Sequence, residues 1–260
     1  MQTIFKTTGL AALAFVAAVA GSSGVMAADL GKHVKAAPAA AAEVPAEATV
    51  NWTGLYIGLD GTAGSGSSNW ATFFSGEPNF ATAGGLFGAH VGMLRQMDHL
   101  VLGWEASAAG GGFSGSGDCP DSGETCKTKL DGLEALRGKL GFAAGRMLVY
   151  GTGGLAWDQA THEEWCNCVA GGGSNLWATT GEQTKRGWVL GAGLEAALTS
   201  RLSLGAEYLH YDFGSHTADL DLDGNNQDTA TYHDRLDVAE LRLSYKLVGP
   251  GDRDGHVPLK

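Results

Sequence analysis

Residues 51–61 read NWTGLYIGLDG. Taken two at a time, Leu55, Ile57 and Leu59 fall on one apolar face, and Gly54, Tyr56, Gly58 and Asp60 on a small or polar one. A segment of this kind is a strand with oil on one side and compact or polar groups on the other. The same code returns seven more times along the chain, and the spacers between its copies alternate between long and short.

Strand two sets Phe87, Ala89, Val91 and Met93 against Gly88, His90 and Gly92, and turns at 96–98. Strand three sets Leu100, Leu102, Trp104 and Ala106 against Val101, Gly103, Glu105 and Ser107. Strand four sets Leu136, Gly138, Leu140 and Phe142 against Arg137, Lys139, Gly141 and Ala143, and turns at 144–146. In strand five, Val149, Leu155 and Trp157 point outward. Strand six sets Trp188, Leu190, Ala192 and Leu194 against Val189, Gly191, Gly193 and Glu195, and turns at 199–201. Strand seven sets Leu204, Ala206, Tyr208 and His210 against Gly205, Glu207, Leu209 and Tyr211. Strand eight sets Ala239, Leu241, Leu243, Tyr245 and Leu247 against Val238, Glu240, Arg242, Ser244 and Lys246. Long loops are expected at 64–79, 110–127, 161–183 and 214–233.

One face of nearly every strand is large and apolar, while the other carries Glu105, Arg137, Lys139, Glu195, Glu207, Glu240 and Arg242. A soluble barrel has the reverse polarity, with an apolar lumen and a polar exterior. In water this chain would expose eight oily stripes and aggregate. In lipid the pattern is favourable, and closure is compulsory because an open edge would leave backbone groups unpaired in hydrocarbon. The reading is all-β: an eight-stranded antiparallel transmembrane barrel at 51–247, with four long loops outside and three short turns in the periplasm.

The N-terminus fits export. Lys6 supplies a positive region, 10–20 an apolar core, and Val25, Met26 and Ala27 a small-residue cleavage site, so 1–27 reads as a signal peptide. Residues 28–50 form an alanine- and proline-rich flexible lead-in, and 248–260 a C-terminal tail. The net charge of −11 argues against nucleic acid, which requires a basic face.

Five segments in order, NWTGLYIG at 51–58, LRGKLGF at 136–142, YGTGGLA at 150–156, GWVLGAGLE at 187–195 and AEYLHYDFG at 206–214, resemble the outer-membrane immunogenic protein family of Gram-negative bacteria, eight-stranded porin-family barrels. The resemblance spans 52–247. It implies an integral, surface-exposed barrel in the cell outer membrane, antigenic in some relatives, with hemin binding in some and no catalytic motif. The implied partners are outer-membrane lipid, the outer-membrane assembly machinery, and hemin or a host surface at the loops. The chain departs from the family at its end: relatives usually finish on an aromatic residue, whereas here Leu247 is followed by the tail.

Other features bear on chemistry. An eight-strand lumen is only wide enough for side chains, so the inward charges are expected to neutralise one another and plug it; an ion path is the alternative. His90 faces inward across a tight turn from Glu105, within expected hydrogen-bond reach. A lipid-modifying enzyme would need a serine, histidine and acid near the outer rim, where His210, Asp212, Ser215 and His216 lie without a recognisable spacing. Cys119 and Cys126 fall in the second outer loop, Cys166 and Cys168 in the third. An even count in an exported chain points to disulfides. Cys119 to Cys126 closes easily and Cys166 to Cys168 would be strained, so two cross-loop bridges remain a rival pairing. A zinc site is less suited to these spacings. Asp219, Asp221, Asp223 and Asn225 match the first half of a calcium loop, but Ala230 stands where the bidentate glutamate belongs. Trp70, Phe73, Phe74, Trp165 and Trp177 could grip hemin or a host surface, or pack the loops together. No cofactor is expected. The function expected is structural and surface-display, not enzymatic, with hemin or small-solute binding or transport as the alternative.

Overall fold

A computed structural model describes residues 50–72, 79–119, 124–169, 173–222 and 228–249. The expected signal peptide, all of the expected lead-in but Val50, and the residues beyond Gly249 lie outside the described residues.

Eight strands follow one another: β1 (Gly54–Thr72), β2 (Asn79–Met97), β3 (Leu100–Asp118), β4 (Glu124–Ala144), β5 (Met147–Val169), β6 (Gly173–Ala197), β7 (Leu202–Leu222) and β8 (Asp228–Val248). Each pairs antiparallel with its sequence neighbours, and β1 pairs with β8 to close the barrel. Two of the short turns each place one residue in the left-handed region, Asp98 at φ 53° and Gly145 at φ 58°. Asparagine, aspartate and glycine tolerate that region best.

The apolar faces look outward. Leu59, Phe87, Leu140, Val149, Leu190, Tyr208 and Leu241 are all exposed, Leu241 at 67%. They form a belt around the turn-side half of the barrel. A belt about 25 Å tall accounts for about 9–11 residues of a tilted strand. The strands run 19 to 25 residues, so each continues well beyond the lipid.

That continuation corrects the predicted loops. Segments assigned as loops, 64–72, 110–118, 161–169 and 214–222, are strand, as are 79, 124–127, 173–183 and 228–233. The reason is physical. Above the belt the outward residues face water, as do Ser65, Ser67 and Asn69 on β1. The contrast between an oily and a polar face therefore disappears while the ladder of backbone hydrogen bonds goes on.

Inside, buried side chains group in layers. Trp52, Tyr56, Leu94, Val101, Leu148 and Tyr150 pack at the turn end. Leu86, Phe113, Leu133, Val189, Leu209, Tyr211, Phe213 and Val238 make a middle apolar layer. Trp70, Phe80, Tyr232 and the Cys119–Cys126 pair form a roof. Inward glycines make room: a Cβ on Gly92 would come within 2.4 Å of the Tyr56 hydroxyl, and one on Gly193 within 2.7 Å of the Tyr150 ring.

Candidate functional site in the filled barrel interior

Between the lowest apolar layer and the middle one lies a charged layer built from β3, β4, β7 and β8. Register places Glu105 opposite Arg137 on the β3–β4 ladder, and Glu207 opposite Glu240 on the β7–β8 ladder. Two carboxylates facing each other repel unless cations stand between them. Arg242 and Arg137 reach across the lumen to do this. Arg137 donates to Glu105 Oε1 at 2.6 Å and to Glu207 Oε1 at 3.1 Å, and Arg242 donates to Glu105 and Glu207. Lys139 donates to Glu105 Oε2 at 2.6 Å and lies 4.6 Å from the centre of the Tyr150 ring. Tyr56 donates its hydroxyl to Glu105 Oε2 at 2.8 Å, and Thr62 to Glu240 Oε2 at 3.3 Å. Arg242 Nη1 stands 3.5 Å from Glu240. Glu105, Arg137 and Arg242 are shielded from solvent. Three cationic side chains, Arg137, Lys139 and Arg242, thus meet three carboxyl groups, Glu105, Glu207 and Glu240, in this layer.

Glu195 is buried outside this group, where it accepts the Ser203 hydroxyl. His90 does not meet Glu105. The β2–β3 register puts Ser107 opposite His90 and Glu105 opposite Gly92, so the histidine turns toward β1 and β8 instead. Its Nδ1 pairs with Asp60 at 2.7 Å and its Nε2 with Ser244 at 3.0 Å. Asp60 and Ser244 were on inward faces in the sequence pattern, but the pattern could not give the stagger between strands that brings them to His90.

A second polar layer, above the lipid belt, escaped sequence reading. Asp234 accepts the Ser68 hydroxyl at 2.5 Å, bonds His162 Nε2 at 3.2 Å and accepts from Lys185, whose Nζ also stands 3.6 Å from Asp158. Trp70 Nε1 lies 3.1 Å from Ser68 Oγ, and the Tyr232 ring stacks on His162 at 4.0 Å. Burial tends to raise the Asp234 carboxyl, but the His162 hydrogen bond and the Lys185 charge overcome it and hold the group well below the ordinary range. Asp158 is pushed up to about 6, chiefly by burial, and burial draws His162 down. The signal for these residues was parity: Asp158, Ala160 and His162 continue the inward register of Ala156, as Lys185 does that of Val189 and Asp234 that of Val238.

The rim residues do not assemble a nucleophile, base and acid. His210 pairs with Asp237 at 2.8 Å, Asp212 with Arg235 at 2.9 Å and His233 at 3.0 Å, and His216 with the Arg186 carbonyl at 3.1 Å. Arg235, the Gly214 N–H and His233 hold Asp212 at about 2 against the opposing effect of its burial. Cys119 and Cys126 are bridged; the side chains of Cys166 and Cys168 lie outside the described residues. Asp219 and Asp221 belong to strand β7 rather than to a loop, and Asp223 and Asn225 lie outside the described residues. Trp70 is fully buried in the roof and Trp165 donates to Glu163 at 2.9 Å. Phe73, Phe74 and the Trp177 side chain lie outside the described residues.

The chain has relatives among known outer-membrane proteins. The chain is 35% identical over 226 residues to the 31 kDa outer-membrane immunogenic protein of Brucella melitensis biotype 1, covering 82% of this chain and 90% of that protein. It is 31% identical over 183 residues to the 22 kDa outer membrane protein of Rhizobium leguminosarum bv. viciae, covering 70% and 74%. The crystal structure of OprG from Pseudomonas aeruginosa aligns with a TM-score of 0.45 at 11% identity over 77% of this chain and 99% of that one; a likeness at that level carries no inference about function. Residues 34–246 match the outer membrane protein beta-barrel domain. With a lipid-facing belt, a closed ring of eight strands and a match over most of its length, the chain belongs to the outer membrane protein β-barrel domain family, and its place is the bacterial outer membrane.

Proposed function

We propose that this outer-membrane barrel is a structural, surface-displaying protein whose lumen is permanently plugged, and that it performs no catalysis. The observation that carries the reading is the charged layer: Glu105, Glu207, Arg137 and Arg242 meet side chain to side chain across the lumen. Clusters of buried apolar side chains lie on either side of it. An ion crossing this section would have to displace buried, mutually bonded charges, and removing one partner of such a pair costs about 3–5 kcal/mol. What the molecule offers its surroundings is a wall of strands extended beyond the lipid. We further propose that 1–27 is removed on export and that 28–50 is a periplasmic lead-in.

Planar-bilayer recording of the refolded chain tests the plug. The expected result is no unitary conductance for the wild type. Steady single-channel steps in the wild type would contradict it and would favour small-solute passage. The hemin reading loses Trp70 as a surface grip, since that ring is packed between Phe80, His162 and Tyr232.

A further inference from the structure

The barrel wall has a break above the belt. Strands β6 and β7 pair from Trp188↔Asp212 to Ala197↔Ser203, and again at Ala178↔Leu222 and Thr179↔Asp221. Between these stretches no backbone pairing joins residues 180–187 to 213–220, whereas β7 keeps its ladder with β8 and β6 its ladder with β5. An irregularity in register marks each strand beside the gap, β6 near Gly181 (φ 63°) and β7 near Gly214 (φ 65°). A bulge with a left-handed glycine turns a strand aside. A Cβ on either glycine would meet open space, whereas one on Gly187, just below, would lie 2.3 Å from the Asp212 carbonyl. The opening is therefore an eyelet, shut above and below.

The eyelet holds a cavity of about 480 Å³ lined by Thr179, Thr180, Gly181, Gln183, Thr217, Ala218 and Asp219. Behind it, and sharing Gln183, Thr217 and Ala218, is a smaller recess of about 70 Å³ that reaches His162, Lys185 and His216. His162 is buried, its Nε2 is engaged by Asp234, and its Nδ1 has no hydrogen-bond partner. In the neutral ring that nitrogen is an acceptor, and His162 is among the residues that line the recess.

We propose that this eyelet is a binding site for a saccharide, a neutral ligand rich in hydroxyl groups. The walls carry three threonine hydroxyls, an amide and one carboxylate; Thr179, Thr180, Thr217 and Gln183 each make hydrogen bonds within the protein and keep further donor or acceptor capacity, and the parted strand edges add backbone groups, a mixture that a polyol satisfies. No cation lines the larger cavity, which argues against an anion, and Lys185 behind it is already tied to Asp234 and Asp158. A single carboxylate is a poor cage for a divalent ion. Among the lining residues only Ala218 is apolar, which disfavours an acyl chain. The volume lies within the ordinary range for small-ligand sites.

The test is a titration of the ¹⁵N-labelled full chain, refolded in detergent micelles, with maltotriose, N-acetylglucosamine and lactose in turn. At least one should shift the amides of 179–187 and 213–219 selectively. The Gln183→Ala/Thr217→Val variant should weaken that binding at least about tenfold while keeping wild-type heat-modifiable migration on gels. A parallel titration with lipopolysaccharide core glycan, free or still attached to lipid in bicelles, distinguishes a soluble sugar from the membrane's own glycolipid; either response supports the site. The proposal is overturned if no sugar moves these amides at tens of millimolar, if only calcium or phosphate does, or if the variant binds as the wild type does.

Discussion

Glu105 accepts hydrogen bonds from Arg137, Lys139, Arg242 and Tyr56, so the loss of one donor leaves a carboxylate that water cannot reach. Arg137→Ala is expected to cost about 3–5 kcal/mol, read as a large drop in the temperature at which the folded gel band disappears. Arg137→Ala combined with Glu105→Gln should recover part of that loss, because the stranded charge is gone. Asp158 makes a second prediction, and its sign follows from linkage. Its folded pKa of about 6 lies above the ordinary carboxylate value, so the folded state holds the proton more tightly. Its contribution is fully present below about pH 4 and is lost as pH rises through about 6. Asp158→Asn should remove this dependence, so wild-type stability relative to the variant declines between pH 4 and pH 7, by up to about 3 kcal/mol. Thermal melts of both proteins across that range check it; a flat difference contradicts it.

The strands show what the sequence could and could not convey. Alternation marked all eight, and the facing of residues such as Leu59, Val91, Leu140 and Leu241 followed from it, because lipid and lumen impose opposite polarity within one strand. Beyond the belt both faces meet polar surroundings, so 64–72 and 214–222 looked like loops although β1 and β7 run through them. Stagger between strands is also invisible to a one-dimensional pattern, so the pattern alone points His90 at Glu105, whereas the structure pairs it with Asp60. Two predictions belong here. Leu241→Arg, on the lipid face, should cost about 2–4 kcal/mol, whereas Ser65→Arg on the outward face above the belt should cost little; folding yields in lipid vesicles compare them. The Cys119–Cys126 bridge spans 7 residues at the tip of the β3–β4 hairpin. Its loss in Cys119→Ser/Cys126→Ser should cost about 2–3 kcal/mol, expressed locally as protease cutting near 119–126 while the strands below stay intact.

At the scale of the whole molecule, two solvents act on one ring of strands. Lipid takes the exposed belt, with Phe87, Leu190 and Leu241 as its largest faces, and the lumen takes ion pairs that could not survive in hydrocarbon unpartnered. Closure through β1 and β8 leaves no free edge within the belt, and the parting of β6 from β7 lies above it, where water can satisfy the backbone. Such a body should resist detergent until heated. The most direct measurement is the gel migration of the refolded chain in detergent, unheated and boiled. The account predicts a compact, faster band that converts to a slower one on heating; a chain that stays soluble without detergent and migrates identically in both lanes would contradict it.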